Sequence, residues 1–247
     1  MAVGASREPL VASGEGRANV RAWDLPTRLF KWSLVLLVAN AWITRQGGDP
    51  WITWHIWNGY ALLVLLVFRL LWGVVGSSTA VFSAWVTWPW RAVTYGLELA
   101  RGKAPRFLSH NPLGGWMIVL LLALLTFQGV SGLFTVDSNG VYGGPFANLD
   151  FGDPTAVQRF MSRWHHWLYY VVLAFATVHV AVNLIYQFAK GDPVVEAMVT
   201  GRKPALPFVD QAEMVAPRAM GLRALICLAA AASIVFGGVK LFGGTLP

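Results

Sequence analysis

The chain has 247 residues, of which 56% are apolar and only 13% charged. Soluble domains carry about a quarter charged residues, so the composition excludes an ordinary water-soluble domain and specifies an all-α membrane protein. The net charge of +7 is gathered in alternate loops, a pattern of membrane orientation and not of nucleic-acid binding.

Residues 1–20 have no continuous apolar core, so they are not a signal peptide and are expected to form a flexible cytoplasmic tail. Five apolar stretches then predict membrane helices at 27–45, 53–76, 112–135, 160–188 and 219–243. Each is long enough to cross ~30 Å of hydrocarbon, which takes roughly 20 residues. The first follows "WDLPTR", where Asp24 and Pro26 suit a helix start. Residues 82–108 predict an interfacial, partly helical segment. The Gly-, Pro- and Asp-containing stretch 137–159 predicts an outer loop, for which partner docking and plain connection both stand open. "GDP" at 191–193 predicts a stop after the fourth helix. The expected organisation is a tail (1–20), a transmembrane cofactor domain (21–203) and a linker with a fifth, C-terminal transmembrane helix (204–247). That last helix has no histidine, and its Cys227 reads as a small apolar residue.

Basic residues divide unevenly between the two sets of loops. Arg7, Arg17, Arg21 and Arg28 lie on one side with Arg91, Arg101, Lys103, Arg106, Lys190, Arg202, Lys203, Arg218 and Arg223. Arg45, Arg159, Arg163 and Lys240 lie on the other, among Asp49, Asp137, Asp150 and Asp153. The positive-inside rule then puts the N-terminus in the cytoplasm and the C-terminus in the periplasm of a bacterial inner membrane. Trp23, Trp51, Trp54, Trp72, Trp85, Trp88, Trp90 and Trp164 lie near predicted helix ends, where an aromatic belt accounts for most of them.

Four of the five histidines, His55, His165, His166 and His179, fall inside predicted spans, where ionisable residues are functional candidates. His165 and His179 are fourteen residues apart, which returns them to within ~40° of one face, ~21 Å apart along the axis. His166 points elsewhere. His55 is expected level with His165 on a facing helix. Two neutral imidazoles facing each other inside a bundle are what a six-coordinate haem needs. Arg69 follows His55 by fourteen residues and lies on nearly the same stripe. It can pair with a haem propionate or snorkel to the membrane surface. Gly59, Gly129 and Gly132 can admit a flat ring or serve as helix-packing positions. At the depth of His179, the first helix offers Lys31. His110, just before the third, reads as a polar group at the helix mouth, with the inner haem or a quinone head group as other uses.

The stretches "VRAWDLPTRLFKWSL", "HIWNGYALLVLLVFRLLWGVVG", "SHNPLGG", "HHWLYYVVLAFATVHV" and "EAMVTGRK" resemble the bacterial cytochrome b561 family, in the branch with the cytochrome b subunits of Ni,Fe-hydrogenases. The resemblance runs in order over residues 20–203. It implies a four-helix core holding two b-type haems. It also implies electron transfer between the quinone pool and a partner, a periplasmic c-type cytochrome or a hydrogenase or dehydrogenase subunit; a homodimer is a further expectation. The family's ligands map onto His55, His165 and His179, and the first ligand position onto Lys31, where a histidine is usual. Three roles stand open for Lys31: an amine ligand opposite His179, a propionate partner or snorkelling group beside a haem held by His179 alone, or a residue of a site without its haem.

Overall fold

The computed structural model describes residues 18–136, 143–147 and 154–246. Among them are seven α-helices: α1 (Leu25–Gln46), α2 (Asp49–Val75), α3 (Pro89–Ala100), α4 (Pro112–Gly132), α5 (Pro154–Phe188), α6 (Val194–Thr200) and α7 (Met220–Leu241). Two short strands, β1 (Asn19–Arg21) and β2 (Arg202–Pro204), pair antiparallel. Residues 1–17 of the expected tail and most of the outer loop, 137–142 and 148–153, lie outside the described residues, while Asn19 and Val20, expected in the tail, begin β1.

Four helices are long and apolar enough to cross a membrane: α2, α4, α5 and α7. The chain is an integral membrane protein. α1 matches them in length at 22 residues, but it carries Arg28, Lys31, Asn40 and Arg45, and their polarity lowers its hydropathy. The expected span at 160–188 begins earlier, at Pro154, and its "GDP" stop is where it was read, between Phe188 and the start of α6.

α1 and α2 form an antiparallel hairpin joined through Gly47 and Gly48. Gly48 has φ 70°, a left-handed conformation that a residue without Cβ adopts at no steric cost. Polar bonds fix the register. Asn40 Nδ2 donates to Asn58 Oδ1 at 2.9 Å, and Asn58 Nδ2 donates to the Leu37 carbonyl at 3.0 Å. Inside a bilayer such bonds contribute roughly 0.6–2 kcal/mol each. α2 is central, packing on α1, α4 and α7, while α5 packs along α4 and α6. The core joins Phe30 of α1, Leu66, Phe68 and Trp72 of α2, Leu122 and Leu125 of α4, and Leu168 and Val172 of α5 to Cys227 and Ala231 of α7. Small residues let these helices approach where lipid removes any hydrophobic drive between them. A Cβ on Gly129 would come 2.7 Å from Leu63 Cδ2, so Gly129 is a helix-packing position.

At the basic end the chain is clasped. β1 pairs with β2, and the amides of Ala22 and Trp23 donate to the Gly201 carbonyl. Gly201 ends α6 with φ 78°, the left-handed C-terminal position that glycine favours. Asp24 is 1% exposed and caps α1 by accepting from the Thr27 amide at 2.6 Å. It also accepts from Trp72 Nε1 and Ser77 Oγ. The helix start expected at Asp24 and Pro26 is present, and the cap doubles as a tie between α1 and the end of α2.

Candidate functional site

His55 on α2 and His165 on α5 meet across the bundle. Their ring centroids are 6.2 Å apart, with the planes at 85°. Each ring is braced by the neighbouring helix. His55 Nδ1 lies 3.1 Å from the Ala41 carbonyl and 3.2 Å from Thr44 Oγ1, both on α1. His165 Nδ1 lies 2.9 Å from the Gln128 carbonyl and 3.2 Å from Ser131 Oγ, both on α4. A carbonyl only accepts, so these partners assign the proton to Nδ1 in both rings. Thr44 and Ser131 spend their own protons on the Asn40 and Gln128 carbonyls, so each hydroxyl oxygen is left to accept from the imidazole. The lone pair of each ring therefore resides on Nε2. A metal-binding histidine is prepared in this way, its second nitrogen fixed by a main-chain carbonyl.

Gly132 seats the second ring. A Cβ there would lie 2.9 Å from His165 Cε1, a distance no real Cβ contact tolerates. A Cβ on Gly59, one turn after His55, would meet nothing within 4 Å. The three glycines singled out in the sequence therefore differ: Gly129 serves packing, Gly132 borders an imidazole, and Gly59 borders open space on the stripe of His55. His166 is 6.1 Å from the His165 ring, but it is exposed and its Nδ1 bonds the Ser162 carbonyl of its own helix at 2.7 Å.

A second group of residues gathers at the basic end. Lys31 Nζ lies 3.5 Å from the centroid of the Trp23 ring and has no hydrogen-bond partner among the described residues. His110 packs between two indoles, 5.0 Å from Trp23 and 5.0 Å from Trp85. Burial pushes the His110 pKa well below the ordinary histidine value, and the charges of Lys31, Arg69, His179 and Lys203 act in the same direction. It is neutral at physiological pH. Arg69 is 4% exposed. Its Nη2 donates to the Ala80 carbonyl at 3.0 Å, its guanidinium lies over Phe82 and Trp85 at 4.7 and 5.6 Å, and Nη1 has no partner among the described residues. Arg69 is therefore held inside the protein and does not snorkel. His179, on α5, has its Nε2 3.2 Å from Asn183 Nδ2. Its ring and the Lys31 amine are not hydrogen-bonded to each other.

Two features were not legible in the sequence. Trp85 reads there as a belt residue, yet it is 2% exposed, and its Nε1 lacks a partner among the described residues. Trp23 and Trp72 are buried too, at 7% and 0%, whereas Trp51, Trp54, Trp88, Trp90 and Trp164 are exposed as a belt requires. Thr44, Gln128 and Ser131 carry no local signal, since their role depends on which helix faces which. Asn183 does carry one: it follows His179 by a single helical turn.

Among the described residues no group of three or more His, Cys, Asp and Glu gathers as a metal cluster. One pair of donors, His55 and His165, faces across a helical membrane domain. The family model for prokaryotic cytochrome b561 matches residues 22–201. The chain belongs to the prokaryotic cytochrome b561 family, whose members are membrane proteins of haem-b electron transfer. No curated protein and no solved structure matches it.

Proposed function

We propose that the chain carries electrons across the membrane through two b-type haems, between the quinone pool and a periplasmic redox partner such as a c-type cytochrome. The observation that carries this reading is the pair of imidazoles at 6.2 Å whose Nδ1 atoms are both engaged by neighbouring helices. His55 and His165 would hold the outer haem through Nε2, with Gly59 and Gly132 leaving room beside them. Bound haem supplies a reversible one-electron couple at its iron. The protein's part is to fix the axial nitrogens, keep water from the ring and answer the charge of the propionates.

His179 and Lys31 would hold the inner haem, with His179 Nε2 giving up the hydrogen bond it accepts from Asn183 Nδ2 at 3.2 Å. The Lys31 amine is buried without a hydrogen bond among the described residues, so none of them competes for the lone pair of its neutral form. The position of Nζ over the Trp23 ring, a contact that a cation makes, favours a second reading in which Lys31 joins Arg69 against a propionate. In either case the unpartnered Arg69 Nη1 and Trp85 Nε1 are the donors available to a buried carboxylate, which needs charge-assisted bonds. His110, neutral and held between indoles, suits a quinone head group better than an iron.

The spectrum of Lys31→Ala decides between the two roles. A lysine ligand predicts that this variant loses the low-spin signal of one haem while the other persists. A propionate partner predicts two low-spin haems and a shifted midpoint potential for one. A chain purified without colour from membranes would remove the electron-transfer function altogether.

The proposed orientation has the basic clasp in the cytoplasm. α1, packed antiparallel along the full spanning helix α2 and about 33 Å long at 1.5 Å per residue, would be the fifth span despite its polarity. A membrane-anchor role for a periplasmic hydrogenase or dehydrogenase uses the same haem path and differs only in the partner.

A further inference from the structure

The basic end holds a polar cavity that the proposed haem sites do not use. It has a volume of about 240 Å³ and lies between α3, the end of α5, the loop before α4 and the segment of β2. Tyr95, Arg106, Tyr186, Lys190, Asp192 and Lys203 give its lining its chemistry. Lys203 is 3% exposed and pairs with Asp192 at 3.0 Å, so the one carboxylate is already neutralised. Arg106 and Lys190 are left in excess, and Lys190 Nζ lies 4.7 Å from the centroid of Tyr186. The Tyr95 and Tyr186 hydroxyls meet at 3.3 Å. One hydrogen bond uses one of their two protons and leaves the other for a ligand. Tyr95 is 5% exposed. Burial, then the bond to Tyr186, hold its pKa far above the ordinary phenol value, so it stays a donor.

Size and depth limit what can enter. Pockets for drug-sized ligands and cofactors span about 300–1,000 Å³, so this cavity suits a head group and not a macrocycle. The adjoining helix gives the depth. α3 buries Ala92 and Tyr95 against the bundle and presents Trp90, Val93 and Leu97 outward, 60%, 65% and 52% exposed. Trp88 and Trp90 stack at 5.1 Å at its start. A helix with that outward stripe and an exposed indole pair lies in the plane of the interface, where tryptophan rings sit at head-group level. The cavity opens beside it.

We propose that this cavity binds the phosphate of an anionic phospholipid head group, with Arg106 and Lys190 pairing with the phosphate oxygens and the tyrosine pair donating a hydrogen bond. Basic pockets between membrane helices recognise anionic head groups by the same charge pairing.

The test is thermal unfolding of the full-length protein in detergent, titrated separately with phosphatidylglycerol, phosphatidylcholine and inorganic phosphate. Phosphatidylglycerol is expected to stabilise saturably, and the other two to have little effect. Each basic side chain at such a surface contributes about fivefold, so Arg106→Ala/Lys190→Ala should raise the half-saturating phosphatidylglycerol concentration about 25-fold. Both residues are exposed, so the variant is expected to fold. Arg101→Ala/Lys103→Ala removes the same charge from exposed positions outside the lining and should leave the titration nearly unchanged. Equal stabilisation by phosphatidylcholine, an equal loss in the control variant, or full stabilisation by inorganic phosphate alone would each overturn the proposal.

Discussion

The two hydroxyls beside the outer imidazoles illustrate how little chemistry separates a packed histidine from a prepared ligand. Thr44 and Ser131 accept from Nδ1 at 3.2 Å each, on opposite sides of the bundle. Removing a partner of this kind typically weakens metal affinity by 10–100-fold. The main-chain carbonyls of Ala41 and Gln128 survive a side-chain substitution, so the loss should fall at the low end. Thr44→Val and Ser131→Ala are each expected to weaken retention of one haem about tenfold, measured as haem lost to apomyoglobin over time. The other haem should dissociate as in the wild type. At this scale the sequence was informative where periodicity governs: His55, His165 and Arg69 lie on stripes that a 3.6-residue repeat exposes. It was uninformative for Trp85 and Thr44, whose surroundings are set by helices distant in the chain.

Among the elements, α4 and α5 depend on a glycine to hold their histidine contact. Gly132→Ala introduces a methyl 2.9 Å from His165 Cε1 and 3.4 Å from Nδ1, while the ring is tied to the Gln128 carbonyl and cannot simply rotate away. Alanine improves helix propensity by roughly 0.8–1 kcal/mol over glycine, so the variant should fold and remain in the membrane. It is expected to lose most of the outer haem's absorption, checked by the reduced-minus-oxidised spectrum. Gly221→Ala, where a Cβ meets nothing within 4 Å, should keep both bands. The helix positions themselves were readable from hydropathy, and the Asp24 cap from its place before Pro26. The hairpin register was not. It rests on Asn40 and Asn58 finding one another, a pairing that no local pattern announces. The apolar stretch at 27–45 marks α1, but not the interior use of its polar residues: Asn40 bonds Asn58, and Lys31 is stacked on Trp23.

At the scale of the whole molecule, α1 decides the topology. Five crossings put the two ends of the chain on opposite sides of the membrane, and four put them on the same side. With the basic loops held inside, α4, α5 and α7 put the C-terminus outside whether or not α1 crosses, so the N-terminal tail reports on α1: Ser6→Cys should be protected from a membrane-impermeant maleimide added to whole cells. Labelling of that cysteine from outside would mean that α1 does not cross and that its contact with α2 lies at the membrane surface. The clasp between β1 and β2 joins residues nearly the whole family domain apart, so both ends of that domain meet at the basic end. The most direct measurement of the central claim is the pyridine-haemochrome count per chain in the wild type and in His55→Ala/His165→Ala. The account predicts two haems b in the first and one in the second, with the surviving haem keeping its low-spin signal. A wild type without haem, or a double variant that retains both, would contradict it.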